Sequence, residues 1–349
     1  MKEAGFYQSL DNEKVRCALC RHRCLILPGK RGICGVRENR GGKLYSLVYG
    51  QLIAQHIDPI EKKPLFHFLP GSLAYSIAAA GCNFRCLHCQ NYDISQYPRF
   101  HQSIIGEKTT PREVVEKAGA ARCQSISYTY TEPTIFMEFA GETAKLAKSF
   151  GLRNNFVTNG YMTPEAMEYM KGYLDAANVD LKSFRDEFYK KICGARLQPV
   201  LETLKFMKKI NIWLEVTTLI IPGLNDSEEE LKDIAQFITK ELGPEVPWHV
   251  TQFYPTYEMS HLPRTPVETL RKAREIGKNT GLHYVYCGNV PGDEGENTFC
   301  YNCGRLLIRR LSFQIAENRM IRGYCPDCGT AQEGIWEIPG ECQKENERK

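Results

Sequence analysis

Leu73-Ala74-Tyr75-Ser76-Ile77-Ala78-Ala79-Ala80 runs through Gly81 into Cys82-Asn83-Phe84-Arg85-Cys86-Leu87-His88-Cys89, and this junction decides the fold. The first stretch is an apolar run that reads as a buried strand. The second places three thiols in C-x3-C-x2-C spacing on one short loop. Three ligands are one short of the four that close a cubane iron–sulfur cluster. A cluster on Cys82, Cys86 and Cys89 therefore keeps one iron open to an outside molecule, which turns an electron carrier into a catalyst.

On the C-terminal side of that loop, β-rich apolar runs recur near 124–130, 153–158, 175–181, 212–220, 248–254 and 283–287. Amphipathic helical patterns lie between most of them. Thr110-Pro111-Arg112-Glu113, Thr163-Pro164-Glu165 and Thr265-Pro266-Val267-Glu268 each offer a cap with Pro in the first turn. Ser227-Glu228-Glu229-Glu230 opens another helix with acidic residues that suit its dipole. Strand–helix alternation of this kind predicts an α/β fold with a parallel sheet or barrel.

Polar residues cluster at the ends of the strands. The first strand ends at the cysteine loop, the second at Thr129-Tyr130-Thr131-Glu132-Pro133-Thr134 and the third at Thr158-Asn159-Gly160. The fourth ends at Asp180-Leu181-Lys182-Ser183, the fifth at Pro222-Gly223-Leu224-Asn225-Asp226, and the sixth at Gln252-Phe253-Tyr254-Pro255. In a βα barrel such ends share one rim, where active sites are built. Asp180 and Lys182 alternate around Leu181, so both can face the interior; a plain interior ion pair is the alternative. His249 lies within a strand, where a core role and a substrate contact both fit.

The chain has 349 residues, a net charge of +4 and no apolar run long enough to span a membrane, and its N-terminus lacks a signal-peptide core. This reads as a cytoplasmic protein with one large domain and small appendages, and the mild charge does not argue for nucleic acid. Of the fifteen cysteines, most fall into three tight groups with metal-ligand spacing, which favours a reducing compartment. Cys123, Cys193, Cys287 and Cys342 stand alone and read as buried small residues or free thiols.

Cysteine density sets the expected boundaries: a Cys-rich metal module over 1–45, a core over 46–290, a ribbon-like module over 297–338 and a polar tail over 339–349. Cys300-x2-Cys303 and Cys325-x2-Cys328 read as a zinc ribbon, because tetrahedral zinc takes four thiolates and so short a segment needs the metal to fold. Between the pairs lie Arg305, Arg309, Arg310, Arg319 and Arg322, read as a solvated basic face or an RNA contact. Cys17, Cys20, Cys24 and Cys34 also indicate metal, with zinc and an auxiliary iron–sulfur cluster both open, since thiolates suit either.

The three-cysteine loop after a first barrel strand resembles the radical S-adenosylmethionine (SAM) superfamily. That resemblance implies a partial (β/α)6 TIM-like barrel, a [4Fe–4S] cluster on Cys82, Cys86 and Cys89, and SAM chelated at the open iron. One-electron reduction would then cleave SAM and give a 5′-deoxyadenosyl radical that abstracts a substrate hydrogen, with a low-potential donor such as ferredoxin or flavodoxin. Tyr130-Thr131-Glu132-Pro133 stands in place of the family's Gly-Gly-Glu segment. Only Glu132 and the nearby backbone carry over as contacts of the SAM amino group, with an ordinary loop carboxylate as the alternative for Glu132. His88 occupies the position of an aromatic residue whose backbone contacts the adenine, which implies packing or adenine contact rather than metal ligation. Thr158-Asn159-Gly160 and Asp180-Leu181-Lys182 match glycyl-radical activating enzymes, which implies SAM contacts at Asn159, Asp180 and Lys182.

More closely, Gly32-Ile33-Cys34-Gly35-Val36-Arg37, Asp58-Pro59-Ile60-Glu61-Lys62-Lys63-Pro64, Phe68-Leu69-Pro70-Gly71-Ser72, Val285-Tyr286-Cys287-Gly288-Asn289 and Glu296-Asn297-Thr298 resemble the AmmeMemoRadiSam system radical SAM enzymes, which are similar to pyruvate formate-lyase activating enzymes. This resemblance implies AMMECR-like and Memo-like partners and leaves the substrate unnamed. Competing expectations are a glycyl-radical activase, an RNA-modifying radical SAM enzyme, and a non-enzymatic iron–sulfur or zinc scaffold.

Overall fold

The computed structural model describes residues 1–337; the polar tail expected over 339–349 and Cys342 lie outside the described residues. One eight-stranded sheet organises the chain. In chain order its strands are β1 (Ala54–Pro59), β2 (Leu73–Ala78), β3 (Ser125–Tyr128), β4 (Arg153–Thr158), β5 (Ala176–Asp180), β6 (Trp213–Ile220), β7 (Trp248–Gln252) and β8 (Val285–Gly288). They also lie side by side in that order. β2 to β8 are parallel, while β1 pairs antiparallel with β2, Ala54 opposite Ala78 and Pro59 opposite Leu73.

The seven parallel strands coincide with the seven apolar runs of the sequence, one more than the six that the resemblance implies, and an antiparallel edge strand joins them. Ala54-Gln55-His56-Ile57-Asp58-Pro59 escapes recognition because it is polar and ends in Pro, a residue that sheets confine to their edges. The parallel strands are buried on both faces, as β3 shows with every residue covered.

Helices Pro111–Ala120, Met137–Ser149, Pro164–Met170, Gln198–Lys209, Glu228–Phe237 and Val267–Asn279 cover the sheet. Thr110 caps the first in a full capping box with Glu113, and Thr163 and Ser227 cap theirs. Thr265 does not cap: its hydroxyl donates to the Ile220 carbonyl at 2.6 Å and accepts from the Phe253 N–H at 2.9 Å. It ties two strand ends together instead.

The N-terminal region forms two small antiparallel sheets, Lys2–Glu3 with Lys43–Ser46 and Arg37–Arg40, and Tyr7–Ser9 with Val15–Cys17 and Leu25–Ile26. It docks on the helices that cover the sheet through the buried pair of Arg37 and Glu138 and through the Thr163 hydroxyl, which donates to Ala18 O at 2.7 Å. The C-terminal region folds as Thr298–Phe299, Leu306–Leu311 and Gln314–Asn318.

The basic face expected on the C-terminal module is divided. Arg310 is turned inward and fully buried. It donates to Thr298 Oγ1 at 2.7 Å and Phe66 O at 3.0 Å, and lies 4.1 Å over the Phe66 ring. Arg305, Arg309 and Arg319 reach Asp327 or Glu317. His67 joins the same buried network, 2.6 Å from the Tyr286 hydroxyl on β8. The 60–72 connection and the C-terminal module therefore link the two edges of the open sheet.

Candidate functional site

A cavity of about 510 Å³ opens at the C-terminal ends of the strands. Cys82, Cys86, His88 and Cys89 line it from the loop after β2, Thr129, Tyr130 and Thr131 from the end of β3, and Val157, Thr158 and Asn159 from the end of β4. Asp180 and Lys182 enter from β5, Thr217 and Leu219 from β6, Thr251 from β7 and Asn289 after β8.

Two lids against free rotation hold the cysteine loop. The first is backbone pairing, with Arg85 N–H donating to Cys193 O at 2.8 Å and Leu87 N–H to Ile192 O at 3.0 Å. The second is Arg99, which donates to Cys82 O at 2.7 Å and Phe84 O at 2.8 Å. Gly81 takes φ +110°, and a Cβ there would stand 2.6 Å from Val36 Cγ1. Only glycine turns the strand into the loop at this spot.

Donors converge on the sulfurs. Phe84 N–H lies 3.4 Å from Cys82 Sγ, the Ser95 hydroxyl 3.3 Å from Cys89 Sγ, and Asn159 Nδ2 3.9 Å from Cys82 Sγ. Contacts of this kind tune a bound cluster. The fit to a polar organic ligand beside the loop rests on unpaired atoms: His88 Nδ1 and Thr217 Oγ1 are buried without hydrogen-bond partners, and both residues face the cavity. Burial pushes the His88 imidazole down to about 3, so it is neutral at physiological pH.

Asp180 and Lys182 face the cavity together, 2.8 Å apart as an ion pair, while Leu181 is buried on the other side. The ion-pair and interior readings are both realised. Asn159 is also at the wall, donating from Nδ2 to Asn83 Oδ1 at 2.7 Å. Glu132 is not. Its fully buried carboxylate accepts from Thr134 N–H at 3.0 Å, Thr158 Oγ1 at 2.7 Å and Asn159 N–H at 2.8 Å. Burial raises its pKa against those donors. The structure makes Glu132 a brace beneath the rim.

Several wall residues went unassigned in the sequence. Lys63 is buried, donates to Asp58 Oδ2 at 2.7 Å and lies 4.5 Å over the Tyr130 ring. Burial lowers its pKa to about 8, against the pull of Asp58. Burial acts to raise the Asp58 pKa, but hydrogen bonds from Lys62, Lys63 and Tyr130 outweigh it and hold the carboxyl well below the usual carboxylate range. The Asp58–Pro64 motif was the available signal, though it named no partner for Tyr130, whose φ of +61° replaces a glycine's freedom. His249 is 2.7 Å from Glu215 Oε2 in the buried network and does not line the cavity. Pro222 to Asp226 also stay off the wall.

The C-terminal cysteines meet at one point: Cys300 and Cys328 sulfurs are 3.6 Å apart, Cys303 and Cys325 sulfurs 3.7 Å apart, and all four lie within 4.8 Å of one another. Among the described residues no helix is long and apolar enough to cross a membrane.

Comparison with known proteins agrees with this geometry. The Radical SAM superfamily profile matches residues 76–238, from β2 through the helix after β6. Uncharacterized protein MJ0808 of Methanocaldococcus jannaschii is 51% identical over 90% of this chain and 92% of its own length. A probable GTP 3′,8-cyclase of Thermococcus kodakarensis is 29% identical over 65% of this chain and 78% of its own. Pyruvate formate-lyase 1-activating enzyme of Escherichia coli is 22% identical over 47% of this chain and 67% of its own. With the three-cysteine loop at the mouth of a parallel sheet, these similarities identify the chain as a radical SAM enzyme, a member of the Radical SAM superfamily with activating-enzyme-like relatives.

Proposed function

We propose that this chain binds a [4Fe–4S] cluster through Cys82, Cys86 and Cys89, binds SAM at the cluster's open iron, and uses the pair to abstract hydrogen from a substrate held in the same cavity. The observation that carries the reading is the convergence of the three thiols with Asn159, Asp180, Lys182 and the unpaired His88 and Thr217 atoms on one wall. When bound, the cluster and SAM supply one-electron reductive cleavage and a carbon radical.

The chain's own residues orient and exclude. The Asp180–Lys182 pair presents a carboxylate oxygen and an ammonium that suit the charged ends of an amino acid moiety. Asn159 holds the cysteine loop through Asn83, and Glu132 holds Asn159. His88, neutral and buried, offers an imidazole edge and ring face to a base. Lys63 lines the same cavity and adds a second cation.

Zinc in the C-terminal module belongs to the same proposal. Four thiolates about 2.3 Å from one tetrahedral ion stand about 3.8 Å apart, close to the 3.6 and 3.7 Å separations seen. Action with AMMECR-like and Memo-like partners follows from family resemblance and stays with the proposal. A glycyl-radical activase is the second reading, favoured by Asp180-Leu181-Lys182 at the wall and by the likeness to pyruvate formate-lyase activating enzymes.

The test is spectroscopic. SAM added to the anaerobically reconstituted, reduced protein should change the electron paramagnetic resonance of its cluster. An unchanged spectrum at saturating SAM would remove the open-iron reading.

A further inference from the structure

We infer that Cys17, Cys20, Cys24 and Cys34 hold a second iron–sulfur cluster, set directly behind the three-cysteine loop. Spacing along the chain fits zinc and iron–sulfur alike; the sulfur positions separate them. A single tetrahedral zinc with bonds of about 2.3 Å draws its four sulfurs to about 3.8 Å from one another. The C-terminal cysteines meet that demand, and among the described residues theirs is the one group of three or more ligand side chains gathered within 4.8 Å.

The N-terminal four share a cavity but not that tight contact. Cys82, Cys86 and Cys89 line the larger cavity together and are likewise not gathered within 4.8 Å of one another. In a cubane each thiolate sits on its own iron, so the sulfurs are spread around the cluster rather than around one ion. One molecule thus contains both arrangements, and the N-terminal group shares that of the three-cysteine loop.

The walls suit such a cluster. Leu19, Ile26 and Ile135 make the cavity apolar, and its charged member, Arg37, is buried and locked to Glu138. A shell of this type limits solvent access to iron.

The two cysteine groups are also joined. His22 Nε2, between Cys20 and Cys24, is 2.9 Å from Asn83 O. Arg99 donates to Ile33 O at 2.9 Å and to Cys82 O at 2.7 Å. The Cys34 carbonyl stands 3.2 Å from the position a Cβ on Gly81 would take.

The test uses the full chain with Cys82→Ala, Cys86→Ala and Cys89→Ala combined, reconstituted anaerobically with iron and sulfide. About four irons per chain should remain, the content of one cubane, with a reduced-cluster resonance that Cys20→Ala and Cys34→Ala then abolish. A triple variant without iron overturns the inference, whether or not zinc takes its place. Should that variant fail to fold, the metal content of the unaltered chain decides: about eight irons and one zinc support it, and about four irons with two zincs defeat it. SAM addition gives an independent readout. Indifference of the unaltered chain to SAM would defeat the proposed function while leaving the second cluster standing.

Discussion

Asn159 and Glu132 form one device: the Asn159 backbone N–H donates to the Glu132 carboxylate at 2.8 Å, which fixes the Asn159 side chain against the cysteine loop. Glu132→Ala strands the Thr158 hydroxyl and the Asn159 N–H in a buried site, which costs about 1–3 kcal/mol. Thermal unfolding should show that loss together with weaker SAM binding. Asn159→Ala should weaken SAM binding with a smaller stability loss. Equal stability losses in the two variants would contradict the division of labour.

Lys63 predicts a pH dependence. Its pKa in the folded chain is lowered to about 8, burial being the cause, so the ammonium is present below that value and lost above it. An anionic ligand group meeting Lys63 is bound less well as pH rises through about 8, up to tenfold per unit. SAM affinity by equilibrium dialysis from pH 7 to 9 should fall in the unaltered chain and stay level in Lys63→Arg. A flat profile in both would remove Lys63 from the binding surface.

Gly81→Ala puts a methyl 2.6 Å from Val36 Cγ1 at φ +110°. Strain of this kind costs on the order of 1–3 kcal/mol. Iron content after reconstitution should fall with the melting temperature, because the same turn aims Cys82. Unchanged iron and stability would show that the loop tolerates a different entry.

Arg310→Met removes a buried guanidinium from Thr298, Phe66 O and the neighbouring Glu61 carboxylate, 4.0 Å away. Breaking a buried charge arrangement costs about 3–5 kcal/mol. Denaturant unfolding should show the loss. A change below about 0.5 kcal/mol, the size of an ordinary surface substitution, would mean that the C-terminal module is not anchored through this residue.

Much of this was legible in the chain. Apolar runs before polar ends gave the parallel strands, and Thr110, Thr163 and Ser227 gave three helix starts, because these signals are local. The edge strand at 54–59 was hidden by its polarity and Pro59, since pairing with β2 rather than apolar content makes it a strand. Arg310 looked like surface because its partners, Phe66 and Thr298, include one 244 positions away. Glu132 read as a ligand because its four donors come from turns that only the folded backbone brings around it. Asp180 and Lys182 were legible because strand alternation alone sends both to one face.

The most direct measurement is the release of 5′-deoxyadenosine from SAM by the anaerobically reconstituted, reduced protein. The unaltered chain should release it and a Cys86→Ala variant should not. Equal release by both, or none by a chain shown to carry its full iron, would contradict the account.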